Sequence, residues 1–345
     1  MPETLDTIGW GILATGKIAR TFARDLTLVP GARLAAVGSR GIDSARSFAE
    51  EHGDGSTRAH GSYDALLADP AVDVVYIATP HALHLAGARA AFEAGKHVLC
   101  EKPVTLRTAD AEEMVRLARH HDRFLMEAMW MACHPVVREL RGELGTGRFG
   151  RPLHLTAELG FRVDAPPTDR MFDPTLGGGA LLDMGIYPLT FAHLMLGEAH
   201  ELRGVATLAE SGVDLDIAVA GRYPGGAVAS LSASMTSWSS RRATIATDLG
   251  RIDVGSNFHH PDHAVFTPYD ARGPRTEHEV TLTGTEPVLG LGYGNEILEV
   301  GRCLREGLGE SPLVPHAQTI TLLRQMDALR ADVGIRYPDD PEGPA

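Results

Sequence analysis

The feature that most constrains this chain is an alternation in its first third between short apolar runs and longer segments of helical periodicity. Ile8 to Ala14 is apolar apart from its glycines, and Thr15-Gly16-Lys17-Ile18-Ala19-Arg20 leads into a helical pattern that runs through Leu28 and stops at Pro30-Gly31. Leu34 to Val37 forms the next run, and Asp43 reads as the N-cap of a helix over Ser44 to His52. Asp73 to Ala78, a helix from His81 to Ala94 closed by Gly95, the run around Val98, a helix from Thr108 to His121 and the strand Phe124 to Ala128 complete the series. Runs that are apolar along their whole length are buried on both faces, as parallel strands are, and parallel strands require crossover helices. The prediction is an α/β fold, a doubly wound parallel sheet over residues 1–128.

In such a sheet, ligands bind just beyond the carboxyl ends of the strands. The octet Lys96-His97-Val98-Leu99-Cys100-Glu101-Lys102-Pro103 ends an apolar strand abruptly in an acid, a lysine and a proline, which places Lys102 at that edge. The turn after the first strand departs from the Gly-x-Gly-x-x-Gly pattern: Ala14 stands at its first glycine, Gly16 at its second and Ala19 at its third. A helix N-terminus behind that turn holds a pyrophosphate on its free N–H groups, so Ala14, Thr15, Gly16, Lys17 and Ile18 are assigned to cofactor binding, a plain βα turn being the competing explanation. At the tip of the second strand an NAD site carries an acid, whereas Gly38-Ser39-Arg40 offers an arginine suited to a 2′-phosphate. Ser39 and Arg40 therefore point to NADP, with NAD as the lesser option and a solvated loop charge as the structural alternative. Thr79, Pro80, His81 and His84 close the next strand and are placed along the cofactor with Glu101 and Lys102; for both histidines a packing role competes.

Composition removes several classes of function. The chain has 345 residues, enough for two domains, with 43% hydrophobic and 22% charged residues and a formal net charge of −13. Such an acidic balance argues against nucleic-acid and anionic-membrane partners, which select clustered Lys and Arg. Small molecules are the expected partners. Cys100, Cys133 and Cys303 stand far apart without a Cys-x-x-Cys, and the start from Met1 to Asp6 is acidic, so a cytoplasmic protein with reduced thiols is expected.

After residue 128 the pattern changes. Leu153–Phe161, Ala199–Leu208, Val213–Arg222, Ala227–Met235, Thr244–Ala246, Ile252–Val254 and Glu277–Leu282 alternate like half-buried strands and predict a largely antiparallel sheet in a second, α+β domain over 129–345. One face of that sheet is expected to be open and to support a homo-oligomer, a dimer or tetramer. Helices at Leu291–Arg305 and Ala317–Asp332 are expected at the domain junction. Within this half, Gly177-Gly178-Gly179-Ala180-Leu181-Leu182-Asp183-Met184-Gly185-Ile186-Tyr187-Pro188 sets an acid and a phenol four residues apart on one helical face, with a kink expected at Pro188. A carboxylate and a phenol so placed can cooperate in proton transfer. The cluster His259-His260-Pro261-Asp262-His263 fits no metal-ligand spacing and reads as a solvated loop, so no metal is assigned.

Taken together, Ala14-x-Gly16, Thr79-Pro80-His81-x-x-His84, Cys100-Glu101-Lys102-Pro103, Met126-Glu127-Ala128-Met129-Trp130 and Gly178-Gly179-Ala180-x-x-Asp183-x-Gly185-x-Tyr187 resemble the Gfo/Idh/MocA oxidoreductase family over nearly the whole chain. Tyrosine at the last motif position is similar to the branch that includes dimeric trans-dihydrodiol dehydrogenase and NADP-dependent D-xylose 1-dehydrogenase. The resemblance implies a Rossmann domain, an open-faced sheet domain that oligomerises, and hydride transfer between NADP and a carbinol of a sugar, cyclic polyol or dihydrodiol. It implies Lys102 as the active-site lysine, Asp183 as the substrate-site acid and Tyr187 as the proton-transfer residue, Asp183 remaining the rival base. Trp130 and Phe161 would line the substrate. Where the branch tends to carry an arginine and aromatics after the tryptophan, this chain has Met131-Ala132-Cys133-His134-Pro135, so a pocket charge is expected to be missing. The mechanism requires Lys102 to meet Asp183 and Tyr187 at one substrate. A sugar-active enzyme with a tightly retained cofactor, either a sugar–sugar oxidoreductase or a redox-assisted glycosidase, and a non-catalytic nucleotide-binding regulator are the alternatives.

Overall fold

The structure is a computed structural model that describes residues 7–338 and 340; the acidic start from Met1 to Asp6 lies outside the described residues. The chain forms two compact units, one of residues up to Cys133 with Val288–Ile320, the other of His134–Pro287 with the residues from Thr321 onward. The boundary expected at 128/129 thus falls at 133/134, and a late segment returns to the first unit.

In the first unit, β1 (Ile8–Leu13), β2 (Ala32–Gly38), β3 (Arg58–His60), β4 (Val74–Ile77), β5 (His97–Glu101) and β6 (Leu125–Ala128) make one sheet in the order β3-β2-β1-β4-β5-β6. Every pairing is parallel. Strands β1, β4 and β6 are buried along their whole length, which is why they read as continuous apolar runs. The connections are α1 (Lys17–Leu26), α2 (Ile42–His52), α3 (Tyr63–Leu67), α4 (His84–Glu93), preceded by a 3₁₀ turn at His81–Leu83, and α5 (Thr108–His120). Asp43 is not the N-cap of α2: Gly41 occupies that position and Asp43 lies in the first turn, where an acid suits the helix dipole. Helix α6 (Trp130–Cys133) ends the first stretch of this unit.

Strand β3 and helix α3 were not foreseen, because three residues of strand and five of helix are too short to show a period. Side-chain bonds explain the return of residues 288–320. The Asp25 carboxylate of α1 accepts from the N–H groups of Leu291 (2.8 Å) and Tyr293 (3.1 Å), at the start of the later helix Tyr293–Arg305. Thr319 donates to Glu127 of β6 at 2.8 Å, and the Leu125 N–H donates to the Gly309 carbonyl at 3.1 Å.

The second unit is built on a nine-stranded sheet. After α7 (Pro135–Gly145) come β7 (Pro152–Gly160), α8 (Ile186–Leu196), β8 (Glu201–Leu208), β9 (Asp214–Arg222), β10 (Val228–Ser234), β11 (Ala243–Thr247), β12 (Gly250–Val254), β13 (Ala264–Asp270), β14 (Gly273–Pro274) and β15 (Val280–Leu282). The order is β14-β13-β12-β11-β7-β10-β9-β8 with β15 on β13; β10 and β7 run parallel and the other pairs antiparallel. Strand β13 escaped sequence reading because Pro268 and the charged end of its run mask the alternation. Helices α9 (Tyr293–Arg305) and α10 (His316–Val333) follow, α9 in the first unit and α10 starting in the first and continuing in the second.

Helix α8 is apolar around its circumference, as a fully surrounded helix must be, and it packs against β7 and β10. The helical stretch 174–196 is long and apolar enough to cross a membrane, but 89% of its apolar window is buried within the protein, which marks a core helix. On the sheet's other face the register aligns small and polar residues across five strands. Arg203, Ala220, Ser230, Thr156 and Thr244 form one rung, and Val205, Ala218, Ser232 and Glu158 form the next. Val205 is 72% exposed there.

Candidate functional site

Cofactor-side residues come from the first unit. Strand β1 delivers Ala14 in a left-handed conformation (φ 88°), where the sequence pattern has its first glycine, and the Ala14 N–H donates to the Gly38 carbonyl at 3.0 Å. Gly16 is the N-cap of α1 and supplies no side-chain cap. A Cβ at Gly16 would meet nothing within 4 Å, so space lies open in front of the first-turn N–H groups. The Thr15 hydroxyl stands 3.4 Å from that of Ser44, Lys17 is exposed, Ile18 is half-buried, and Arg40 is exposed at the end of β2 beside half-buried Ser39.

The end of β4 presents a second polar feature. Thr79 is buried and its hydroxyl has no hydrogen-bond partner among the described residues, a costly arrangement that a ligand carboxamide or hydroxyl would relieve. An open helix N-terminus and an orphaned hydroxyl at neighbouring strand ends fit a dinucleotide.

His84 shows the packing role that competed for it in the sequence. It is fully buried, its Nε2 lies 2.9 Å from the Thr79 carbonyl, and its Nδ1 lies 3.0 and 3.2 Å from the carbonyls of Pro103 and Val104. Burial lowers its pKa, against the pull of those three carbonyls. A neutral imidazole carries one N–H, so His84 donates on one side only and otherwise packs its ring between the edge of β4 and the turn after β5. His81, also buried, packs its ring 5.7 Å from that of His84.

The strand that carries Lys102 is anchored from below. Glu101 is buried and accepts from the Tyr76 hydroxyl and from the Lys102 N–H (3.2 Å), so its carboxylate supports the turn from inside. Lys102 itself is half-buried, before a cis peptide to Pro103. Glu127, which sequence reasoning left without a role, accepts from the Val104 N–H at 3.0 Å and from Thr319. Burial raises the pKa of Glu127, while those bonds and the charge of Lys102 pull it down. Trp130 is buried in a face-to-face stack with Tyr293, ring centroids 4.6 Å apart.

In the second unit the glycine run, a π turn at Leu181–Gly185 and the start of α8 present Asp183 and Tyr187. Pro188 lies within the first turn of α8, directly after the π turn. Gly179 adopts φ 117°, and a Cβ on it would fall 2.3 Å from Asp214 Oδ1, so only glycine fits. Asp214 is fully buried, accepts from the Leu181 N–H at 2.6 Å, and leaves Oδ1 without a partner among the described residues. The Tyr337 hydroxyl donates to the Gly178 carbonyl at 2.7 Å.

Asp183 is half-buried, with Arg170 Nη2 3.4 Å away. Arg170 reaches the acid from a 3₁₀ turn at Arg170–Phe172 that no periodicity announces. Tyr187 is 7% exposed, and its ring lies 5.0 Å from that of His259. The histidine cluster is thus not a solvated loop: Phe258 and Pro261 are buried, His259 and His260 half-buried. Phe161 is half-buried, 6.5 Å between centroids from Trp238, over which Arg241 stacks at 5.2 Å.

A parallel sheet with an open helix N-terminus at its carboxyl edge, beside a lysine-bearing turn, defines a dinucleotide-binding oxidoreductase. The chain belongs to the Gfo/Idh/MocA oxidoreductase family: residues 8–129 match its NAD-binding Rossmann fold and 137–253 its C-terminal domain. It is similar to trans-1,2-dihydrobenzene-1,2-diol dehydrogenase of Mus musculus, 34% identical with 96% of this chain and 98% of that protein covered. It is also similar to KijD10, a 3-ketoreductase from Actinomadura kijaniata solved with TDP-benzene and NADP (25% identity, TM-score 0.83, 95% and 98% covered). The fold of aldose-aldose oxidoreductase from Caulobacter crescentus is likewise close (22% identity, TM-score 0.82, 95% and 98% covered). The protein is an NAD(P)-dependent oxidoreductase.

Burial raises the pKa of Asp214 from 3.8 to about 6. A raised carboxyl favours the fold while neutral; that contribution is present below pH 3.8 and is lost as pH rises through about 6, a difference on the order of 3 kcal/mol. Asp214→Asn keeps an acceptor for the Leu181 N–H and removes the ionisation. In urea titrations at pH 4 and pH 7.5, the variant is expected to gain stability relative to wild type between the two; an unchanged difference would show that Asp214 does not titrate in this way.

Proposed function

We propose that this protein is an NADP-dependent dehydrogenase of a carbinol in a sugar, cyclic polyol or dihydrodiol, working in the cytoplasm as a homo-oligomer. The observation that carries the reading is the presentation of Asp183 and buried Tyr187 one turn apart from a single pinned helix start, with Arg170 beside the acid. The names of the mouse relative and of KijD10 support the substrate class and the cofactor. Three buried cysteines that form no disulfide among the described residues suit a reducing compartment.

Residues Ala14 to Ile18 would hold the pyrophosphate, Ser39 and Arg40 the 2′-phosphate, and Thr79, Pro80 and His81 the nicotinamide end. When bound, the pyridine ring supplies the site that accepts or returns a hydride. Tyr187 takes the hydroxyl proton. A free phenol has a pKa of about 10, too high for this at neutral pH, so a cation is needed to favour the developing charge. We assign that role to Lys102, as donor to the substrate alkoxide, while Asp183, held by Arg170, orients the hydroxyls beside it. Trp130 and Phe161 are assigned to the substrate walls of their respective units.

Following nicotinamide absorbance with aldoses, inositols, anhydrosugars and dihydrodiols, Tyr187→Phe and Lys102→Met are each expected to lower kcat by about 10²- to 10⁴-fold. The double variant should fall by far less than the product of the two, since both act on one step. Wild-type turnover in both single variants would sink the assignment.

Arg40→Ala is expected to raise the KM for NADP by about tenfold or more while leaving that for NAD unchanged, as loss of a charge-assisted bond to a phosphate requires. Equal effects on both cofactors would remove Arg40 from the site.

For the oligomer, the face carrying Val205 and Ala218 is the proposed contact. Val205→Glu should convert the assembly to monomer in sedimentation velocity; a monomeric wild type would refute the contact outright.

A further inference from the structure

Tyr187 leaves the proposed mechanism with a proton to dispose of at every turnover, and at 7% exposure it has little solvent of its own. What lies against it is a loop laid in register along α8. Tyr187 and Phe191 sit four residues apart on one face of that helix, and the consecutive residues His259 and Phe258 cover them in turn. The Phe258 ring meets Phe191 edge-on at 5.3 Å between centroids, and the His259 ring meets Tyr187 at 5.0 Å.

The loop is fixed. The Phe258 N–H donates to the Arg241 carbonyl at 3.0 Å, the His260 N–H donates to the Asn257 carbonyl at 2.8 Å, and both Asn257 and Arg241 hold left-handed conformations that non-glycine residues rarely adopt. The His260 ring meets His259 edge-on, 4.5 Å between centroids at 89°. Beyond it stand Asp262 and His263, both exposed.

We propose that His259 and His260 form a proton outlet from Tyr187 to solvent. The proposal rests on the reading of Tyr187 as the proton-transfer residue. In the oxidative direction the carbinol carbon loses hydride to the oxidised nicotinamide of NADP, its hydroxyl proton passes to the Tyr187 phenolate, and the carbonyl forms. The phenol then gives that proton to the His259 imidazole, directly or over one water, and His259 passes it by His260 to bulk water. One carbonyl, one reduced cofactor and one free proton result, and the relay returns to its starting state.

The second ring rests neutral and so has a nitrogen able to take a proton, and burial makes it a weak base that hands the proton on. Burial lowers the pKa of His260, with Asp262 opposing and Arg241 assisting. His134, also facing this cluster, is lowered to about 4, mainly by burial and further by His260. Neither imidazole blocks the route with a resident charge at neutral pH.

His259→Phe retains a ring over Tyr187 and removes the proton carrier; His259→Gln serves as a second variant should the first not fold. In dilute, non-relaying buffer, kcat is expected to fall by about tenfold or more with the substrate KM little changed, and to recover as free imidazole is added, while wild type ignores the addition. A pH dye should show proton release lagging nicotinamide reduction in the variant only. Wild-type kcat and prompt proton release in either variant, or a loss that imidazole does not restore, would overturn the relay. Tyr187→Phe in the same buffers separates the two ideas: if it is inactive while His259→Phe is unaffected, the relay alone fails; if it turns over normally, the Tyr187 reading fails first.

Discussion

A parallel sheet covered on both faces can show polar chemistry only where its strands end, and the first unit is arranged around that constraint. Its central strands bury every side chain they carry, so the groups that shape the carboxyl edge must themselves be buried polar residues bonded to backbone. His84 packs between the Thr79 carbonyl and those of Pro103 and Val104, Glu127 holds the Val104 N–H, and Glu101 holds that of Lys102. These three side chains lock the turn that offers Lys102 by occupying its backbone groups. Lys102 is placed through its backbone, its N–H bonded to Glu101 and the residues after it bonded to Glu127 and packed on His84.

The second unit solves the same problem with an acid and a loop. Asp214, deep in the unit, captures the Leu181 N–H and leaves no room for a side chain at Gly179, so the glycine run closes tightly and the π turn begins at a fixed point. From there Asp183 and Tyr187 emerge in a defined order, and Pro188 is absorbed without an unmet carbonyl in mid-helix. A buried acid whose pKa is pushed up to about 6 is a costly anchor, and it fixes the start of the turn that carries Asp183. The loop carrying Phe258 and His259 closes over the same helix from the other side, so that the phenol is held between a pinned backbone and a packed ring.

Much of this was legible in the residues. Continuous apolar runs alternating with helical periods identified the parallel sheet, and Ala14-x-Gly16 marked the turn between its first strand and helix. Lys102, Asp183 and Tyr187 announced themselves as polar residues in motif positions. The failures have a common form. His259 read as a solvated loop residue and packs on Tyr187; Glu127, Arg170 and Asp214 gave no signal. In each case a residue's part depends on a neighbour distant in sequence, which no local period or spacing encodes.

Sequence by itself determined the architecture of each unit and the family it belongs to, because burial pattern and motif chemistry are written in consecutive residues. Tertiary structure alone decided which polar side chains face inward to hold backbone, which cation accompanies Asp183, where the returning segment 288–320 belongs, and what lies over Tyr187. The physical reason is that hydrogen bonding and desolvation act over a few ångströms of space, whereas the residues they join here are separated by 13 positions for Arg170 and Asp183 and by 192 for Glu127 and Thr319.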